Sequence, residues 1–169
     1  MNICVTENCP KKCAWSLDNK RVQKMALEST QMLCAALNET AGFKVAPYKT
    51  THKNHNCNIW ARTSTENWHW LWQHGKELCK EYTFRYGKVH KCEAVLDGLL
   101  QLPMTVPDGP LTPFANCAAH KGLGLSYKAV EPVTEAYRLY LTERWKNDKR
   151  TPIWTKRIDP RILWWKKVK

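Results

Sequence analysis

At 169 residues with 43% hydrophobic side chains, the chain suits one domain that buries roughly 70% of the surface its unfolded form exposes, so disorder over most of its length is excluded and folding needs no disulfide or metal. Its 27 Lys and Arg against 15 Asp and Glu leave a charge of +12, which selects polyanions as partners, nucleic acid before an anionic membrane. No apolar leader segment and no run of 18 apolar residues occurs, which predicts a cytoplasmic protein with no membrane partner.

Residues 2–5 predict a short strand or an extended arm. Asn8 caps, and Pro10 opens, a short helix through Leu17. Asp18 then caps a longer helix to about Leu37, with the apolar stripe Val22, Met25, Ala26, Met32, Leu33, Ala36 and Leu37. Its opposite face carries Arg21, Lys24, Glu28 and Gln31 and reads as wholly polar. Residues 38–62 read as a long irregular segment holding Gly42, Pro47 and the run His52-Lys53-Asn54-His55-Asn56-Cys57, and long structured loops are often functional.

Thr63 with Glu66 gives a capping-box signal for a helix with the stripe Trp68, Leu71, Trp72, Gly75, Leu78, Cys79 and Tyr82, ending near Gly87. A fourth helix spans about Val89 to Leu100. Four prolines from Pro103 to Pro113 mark a connector, and Pro132 opens a fifth helix to about Asp148. No internal repeat or interdomain linker is visible. The expected fold is all-α: a single compact helical domain over 1–169 with a short N-terminal arm and long loops.

From Arg144 to Lys169 there are ten Lys or Arg against two Asp, interleaved with Trp145, Trp154, Trp164 and Trp165. That mixture suits phosphate contacts combined with base stacking; a solvated basic tail is the plain alternative. The eight cysteines predict reduced, mostly buried thiols. Cys4, Cys9 and Cys13 could hold zinc with His52 or His55, but no pair has knuckle spacing, so neither metal nor cofactor is expected.

Four constellations could carry function. Arg21 and Glu28 on the long helix are either a surface ion pair, worth about 0–1 kcal/mol, or a catalytic carboxylate with its cation. The loop Asn54-His55-Asn56-Cys57 leads to Trp60, and His55 is either structural or catalytic. Arg85, Lys88, His90 and Lys91 lie at the junction of two helices, where they could hold consecutive phosphates, or could be cations favoured by a helix C-terminus. The tail run Trp154-Thr155-Lys156-Arg157 is the fourth.

The stretch Leu17–Glu28, the Asn54–Cys57 loop, the region from Glu81 to Lys91 and Pro113-Phe114-Ala115 resemble a phage-type family of small uncharacterised proteins. More distantly, the chain resembles the pyrimidine-dimer DNA glycosylases of the endonuclease V type, small basic all-α enzymes that cleave the glycosidic bond and then nick the abasic site. Arg21 and Glu28 keep the seven-residue separation of that family's helix His and catalytic Glu, with Lys20 where the family has Gln and Gln31 where it has Arg. The helix from Trp68 to Gly87 and the tail from Thr151 to Lys156 are similar to its central helix and aromatic C-terminus.

The resemblance implies a monomer acting on double-stranded DNA, bent or with an extruded nucleotide. Glu28 would stabilise the sugar cation or activate water, with Arg21 and Lys24 on flanking phosphates and Trp60 or Trp154 filling the gap. The family's nucleophile is an N-terminal amine freed by removal of Met. Here Asn2 follows Met1, which would be retained, leaving the amine one residue further out than Asn2. An α-amine titrates near 8 against about 10.4 for a Lys, so it is the better Schiff-base former at neutral pH. A monofunctional glycosylase with a water-activating Glu stays open, as do a non-enzymatic DNA-binding protein and an enzyme acting on hypermodified phage DNA bases, in a phage or anti-phage role.

Overall fold

Where apolar residues recur every three to four positions the chain is helical, and the computed structural model, which describes residues 1–165, is 53% helix and 2% strand. The end of the basic tail, 166–169, lies outside the described residues. The all-α expectation therefore holds.

Two long helices form the centre. α2 (Asn19–Ala41) buries the whole predicted stripe, and it runs four residues past the expected end. Inside its last turns, Asn38 accepts from the backbone of Val45 and Ala46 and donates to the Tyr48 carbonyl, tying the returning chain to the helix. Gly42 then stops the helix at φ 77°, a conformation that costs glycine nothing.

α4 (Thr65–Tyr86) packs along α2 through Trp68, Leu71 and Leu78. Its cap is Ser64, not Thr63: the Thr63 hydroxyl donates to the Ile59 carbonyl, leaving Ser64 Oγ to accept from Asn67 N–H at 3.2 Å. Gly75 sits where α2, α4 and α5 (Cys92–Leu99) meet, and a Cβ there would lie 3.2 Å from Leu96 Cδ1 and 3.6 Å from Ser29 Cβ.

Shorter elements close the ends. α1 (Pro10–Ser16) starts with Pro10 at its first position; Cys9 takes the cap position, and the Asn8 carbonyl instead accepts from Trp70 Nε1 at 2.8 Å. The expected irregular stretch 38–62 contains a short α3 (Asn56–Ala61), capped by His55, whose Nδ1 accepts from Cys57 N–H. α5 begins three residues after Val89, which is 70% exposed. Within the connector, β1 (Ala119–His120) and β2 (Leu125–Ser126) form a two-residue antiparallel pair. α6 (Val133–Lys146) buries Val133, Tyr137, Tyr140 and Leu141, and α7 (Arg161–Trp164) adds a turn in the tail that periodicity did not signal.

The N-terminal arm and the described part of the tail are both anchored. Residues 2–5, expected as a short strand or an extended arm, form no strand, and Cys4 takes a left-handed φ of 57°; Ile3 and Val5 are buried in this N-terminal arm. The tail folds back over α1 and α4: Trp154 Nε1 donates to the Ser16 carbonyl at 2.9 Å, and Asn19 N–H donates to the Ile153 carbonyl. Arg157 lies over Trp15 and Phe84 and pairs with Glu81, which also holds Arg85.

His74 on α4 has no exposed surface; Nδ1 donates to the Pro10 carbonyl at 3.1 Å while Nε2 has no partner. Burial pushes this imidazole down to about 4. An unfolded His titrates near 6.5, so acidification protonates the unfolded chain first. The stability present above pH 6.5 is lost as pH falls toward 4, on the order of 3 kcal/mol from this residue. Urea midpoints of wild type and His74→Gln measured between pH 7 and 4 should diverge, with the flatter profile in the variant; parallel profiles would remove His74 as the cause.

A buried carboxylate beside a cationic cleft

Glu28 lies mid-way along α2 and is 8% exposed. Its Oε2 accepts from the backbone N–H of Asn2 at 2.7 Å and lies 3.9 Å from the α-amine of Met1; Oε1 is 3.4 Å from Lys24 Nζ, one turn earlier. The arm is held there by the Asn2 side chain. Asn2 Oδ1 accepts from Ile3 N–H, Cys4 N–H and, at 2.6 Å, the Tyr137 hydroxyl, while Nδ2 donates to the Cys117 carbonyl. Asn2 thus meets Glu28 across 26 residues of sequence, with the Met1 amine beside it, the juxtaposition that the separation of Arg21 and Glu28 could not reveal.

Beside this centre stand His55, Cys57 and Cys117. Burial, together with the Met1 amine, lowers the His55 imidazole from its ordinary range. The Cys57 and Cys117 sulfurs lie within 4.8 Å of one another, and the proximity raises the Cys57 thiol and lowers that of Cys117, helped at Cys117 by Lys128 and the amine. The Cys117 backbone N–H donates to the Tyr137 hydroxyl at 3.2 Å.

A cleft of about 740 Å³ runs between the first half of α2 and the turn joining α4 to α5. Lys20 and Lys24 line it from α2, Lys88, His90 and Lys91 from the turn, and Tyr48 and Tyr82 supply aromatic surface; no Asp or Glu lines it. His90 Nδ1 accepts from Cys92 N–H and its ring packs on Tyr82 at 4.9 Å. Burial lowers the His90 imidazole from its ordinary range. Lys24 belongs to both places, lining the cleft and touching Glu28.

No protein-family model, curated protein or solved structure matches this chain.

Five of the expected DNA-contacting residues, Lys20, Lys24, Lys88, His90 and Lys91, are brought together in the cleft. Others stand elsewhere. Arg21 is buried, with Nη1 at 2.8 Å from Asp18 and 2.9 Å from Asp148, and although burial opposes its charge these carboxylates push the guanidinium up. This corrects the polar-face reading of α2: two acids hold Arg21 inward, and the arm covers Glu28. Arg85 is 3% exposed because Glu81, Asn19 and the Trp15 carbonyl consume its donors. Trp60 is buried against Trp70 and Phe114, and Trp154 against Trp145, so neither offers a free stacking face.

Asn54 is exposed in its loop and Gln31 is half-buried one turn beyond Glu28. Lys156 is exposed and donates to the Phe84 carbonyl; with Arg157, Trp15 and Trp164 it lines a second cleft, of about 840 Å³, on the tail face. The sequence reading missed Cys117, Tyr137, Tyr48 and Tyr82. Cys117 follows the Pro113-Phe114-Ala115 stretch, and proximity to that motif was the one available signal. Among the described residues no helix is long and apolar enough to cross a membrane.

Proposed function

We propose that this chain is a DNA N-glycosylase that excises a damaged or modified pyrimidine after drawing the nucleotide out of the stack. The observation that carries the reading is Glu28: a nearly buried carboxylate between an α-amine and a Lys that lines a cleft with four lysines and no Asp or Glu. A surface ion pair has no need of such burial.

In this reading the cleft lysines grip the phosphate backbone, and Tyr48 and Tyr82 offer faces to unstacked bases. Unstacking costs a few kcal/mol, least at a damaged base, which gives the site part of its selectivity. As the glycosidic bond breaks, the base leaves with the bonding electrons and positive charge builds on the sugar. Glu28 stabilises that charge, and water or the amine adds at the sugar carbon. The amine that Met1 carries in this chain adds at the sugar carbon and sheds a proton, and breaking of that carbon's bond to the ring oxygen opens the sugar to an imine, from which strand nicking by loss of the 3′ phosphate follows; addition of water, with loss of its proton, leaves an intact abasic site.

The deciding assay incubates the protein with normal, ultraviolet-irradiated and hypermodified phage DNA and scores alkali-labile abasic sites. Excision on one damaged or modified substrate is expected. Tight binding without excision on any of the three would leave a non-enzymatic DNA-binding protein.

Binding should also report the cleft. With about six phosphate contacts, affinity falls on the order of a thousandfold between 50 and 200 mM salt. Lys88→Ala and Lys91→Ala should each reduce the slope of log affinity against log salt by about 0.9. A salt-independent affinity, or slopes unchanged in both variants, would show that the cleft does not carry phosphate.

A further inference from the structure

We propose that His55, Cys57 and Cys117 bind one thiophilic divalent cation of the zinc class at the edge of the Glu28 centre. This inference stands apart from the base-excision reading and needs no DNA. It reverses the expectation of no metal, which rested on the spacing of Cys4, Cys9 and Cys13 alone. The set that the fold assembles is different and spans 62 residues of sequence.

One ligand atom from each of the three residues lies within 4.8 Å of the other two. A tetrahedral zinc, with Zn–S of about 2.3 Å and Zn–N of about 2.0 Å, asks for ligand atoms roughly 3.5–3.8 Å apart. The closure required is at most about 1.3 Å, within reach of side-chain rotation because His55 and Cys117 are only half-buried. Their partial exposure also leaves a route for the ion and room for a water as fourth ligand. One imidazole nitrogen and two sulfurs form a soft donor set that favours zinc over magnesium or calcium, and two thiolates balance the ion's charge.

The ligands are already held. His55 and Cys57 are fixed to one another on the opening turn of α3, where the imidazole caps the helix. Cys117 is fixed on both sides of its backbone, its N–H by the Tyr137 hydroxyl and its carbonyl by Asn2 and by Ala119 N–H. Such outer contacts are what orient metal ligands. A bound ion would pin α3 to the connector, whose Cys117 carbonyl already holds the Asn2 side chain of the arm that meets Glu28.

The test uses the full, reduced, chelator-treated protein titrated with Co(II), then with Zn(II). One equivalent of cobalt should bind with a sulfur-to-cobalt charge-transfer band in the near ultraviolet and the intense visible bands of a tetrahedral site, and zinc should bleach both. Cys117→Ser and His55→Ala should each weaken binding by more than the roughly 10–100-fold typical of losing an outer contact. Cys9→Ser, an exposed cysteine outside the set, should bind like wild type.

The wild-type titration decides the matter even if a variant folds poorly. Uptake below one equivalent, a cobalt spectrum without the sulfur band, or full affinity in both ligand variants would overturn the site. So would reduced protein that takes up no metal and simply forms a Cys57–Cys117 disulfide on standing in air.

Discussion

On the proposed base-excision reading, Glu28→Gln should lower the rate of excision about 10²–10⁴-fold while DNA affinity stays the same or rises. The amide has nearly the shape of the carboxylate, and its oxygen can still accept from Asn2 N–H, so the arm keeps its place. What disappears is the negative charge opposite the developing sugar cation and the ability to take a proton from water. Removing that charge beside Lys24 also leaves the cleft more cationic, which favours binding. Single-turnover excision on the substrate found in the panel, with gel-shift affinity on the same duplex, measures both halves. Excision at the wild-type rate would end the glycosylase reading, whatever the affinity.

Glu81→Ala should destabilise the fold by about 3–5 kcal/mol, the expected cost of leaving a buried charge unpaired. The Arg85 side chain has no exposed surface and depends on Glu81 Oε1 at 2.7 Å, while Arg157 binds the same carboxylate through 3.0 and 2.8 Å bonds. Without Glu81 the buried guanidinium keeps only Asn19 and a backbone carbonyl, and the tail loses its charged anchor. At 2–4 °C per kcal/mol for a chain of this size, the melting temperature should drop on the order of 10 °C. Calorimetry of Glu81→Ala and Arg157→Ala separates the terms: the second variant, whose guanidinium is partly exposed, should lose much less. Equal losses would mean that the tail anchor, not the buried Arg85, carries the effect.

The parts of this fold that follow from local sequence were legible. The stripes of α2 and α4, the glycines that stop them and the proline that starts α1 each act within a few residues. What depends on distant partners was not. Arg21 and Lys24 stand on one helix at adjacent turns, yet Asp148 draws the first into the interior and the second stays in water. The cleft was half visible, because the basic run from Arg85 to Lys91 and the lysines of α2 are each local features. Only packing of α4 on α2 shows that Arg85 leaves the group while Lys88, His90 and Lys91 join Lys20 and Lys24. Cys117 had no local signature pairing it with His55 and Cys57.

The docked tail bears on when the molecule can fold during synthesis. Trp154 closes on Ser16 across 138 residues, Thr155 on Asn19 across 136 and Arg157 on Glu81 across 76. A nascent chain still lacking this segment exposes the Ser16 carbonyl, and the Arg85–Glu81 pair, which the finished protein keeps dry, stands open to water. The central helices can therefore meet on the ribosome, but the α1–α4 face acquires its final seal only after the segment from Ile153 to Arg157 has been made.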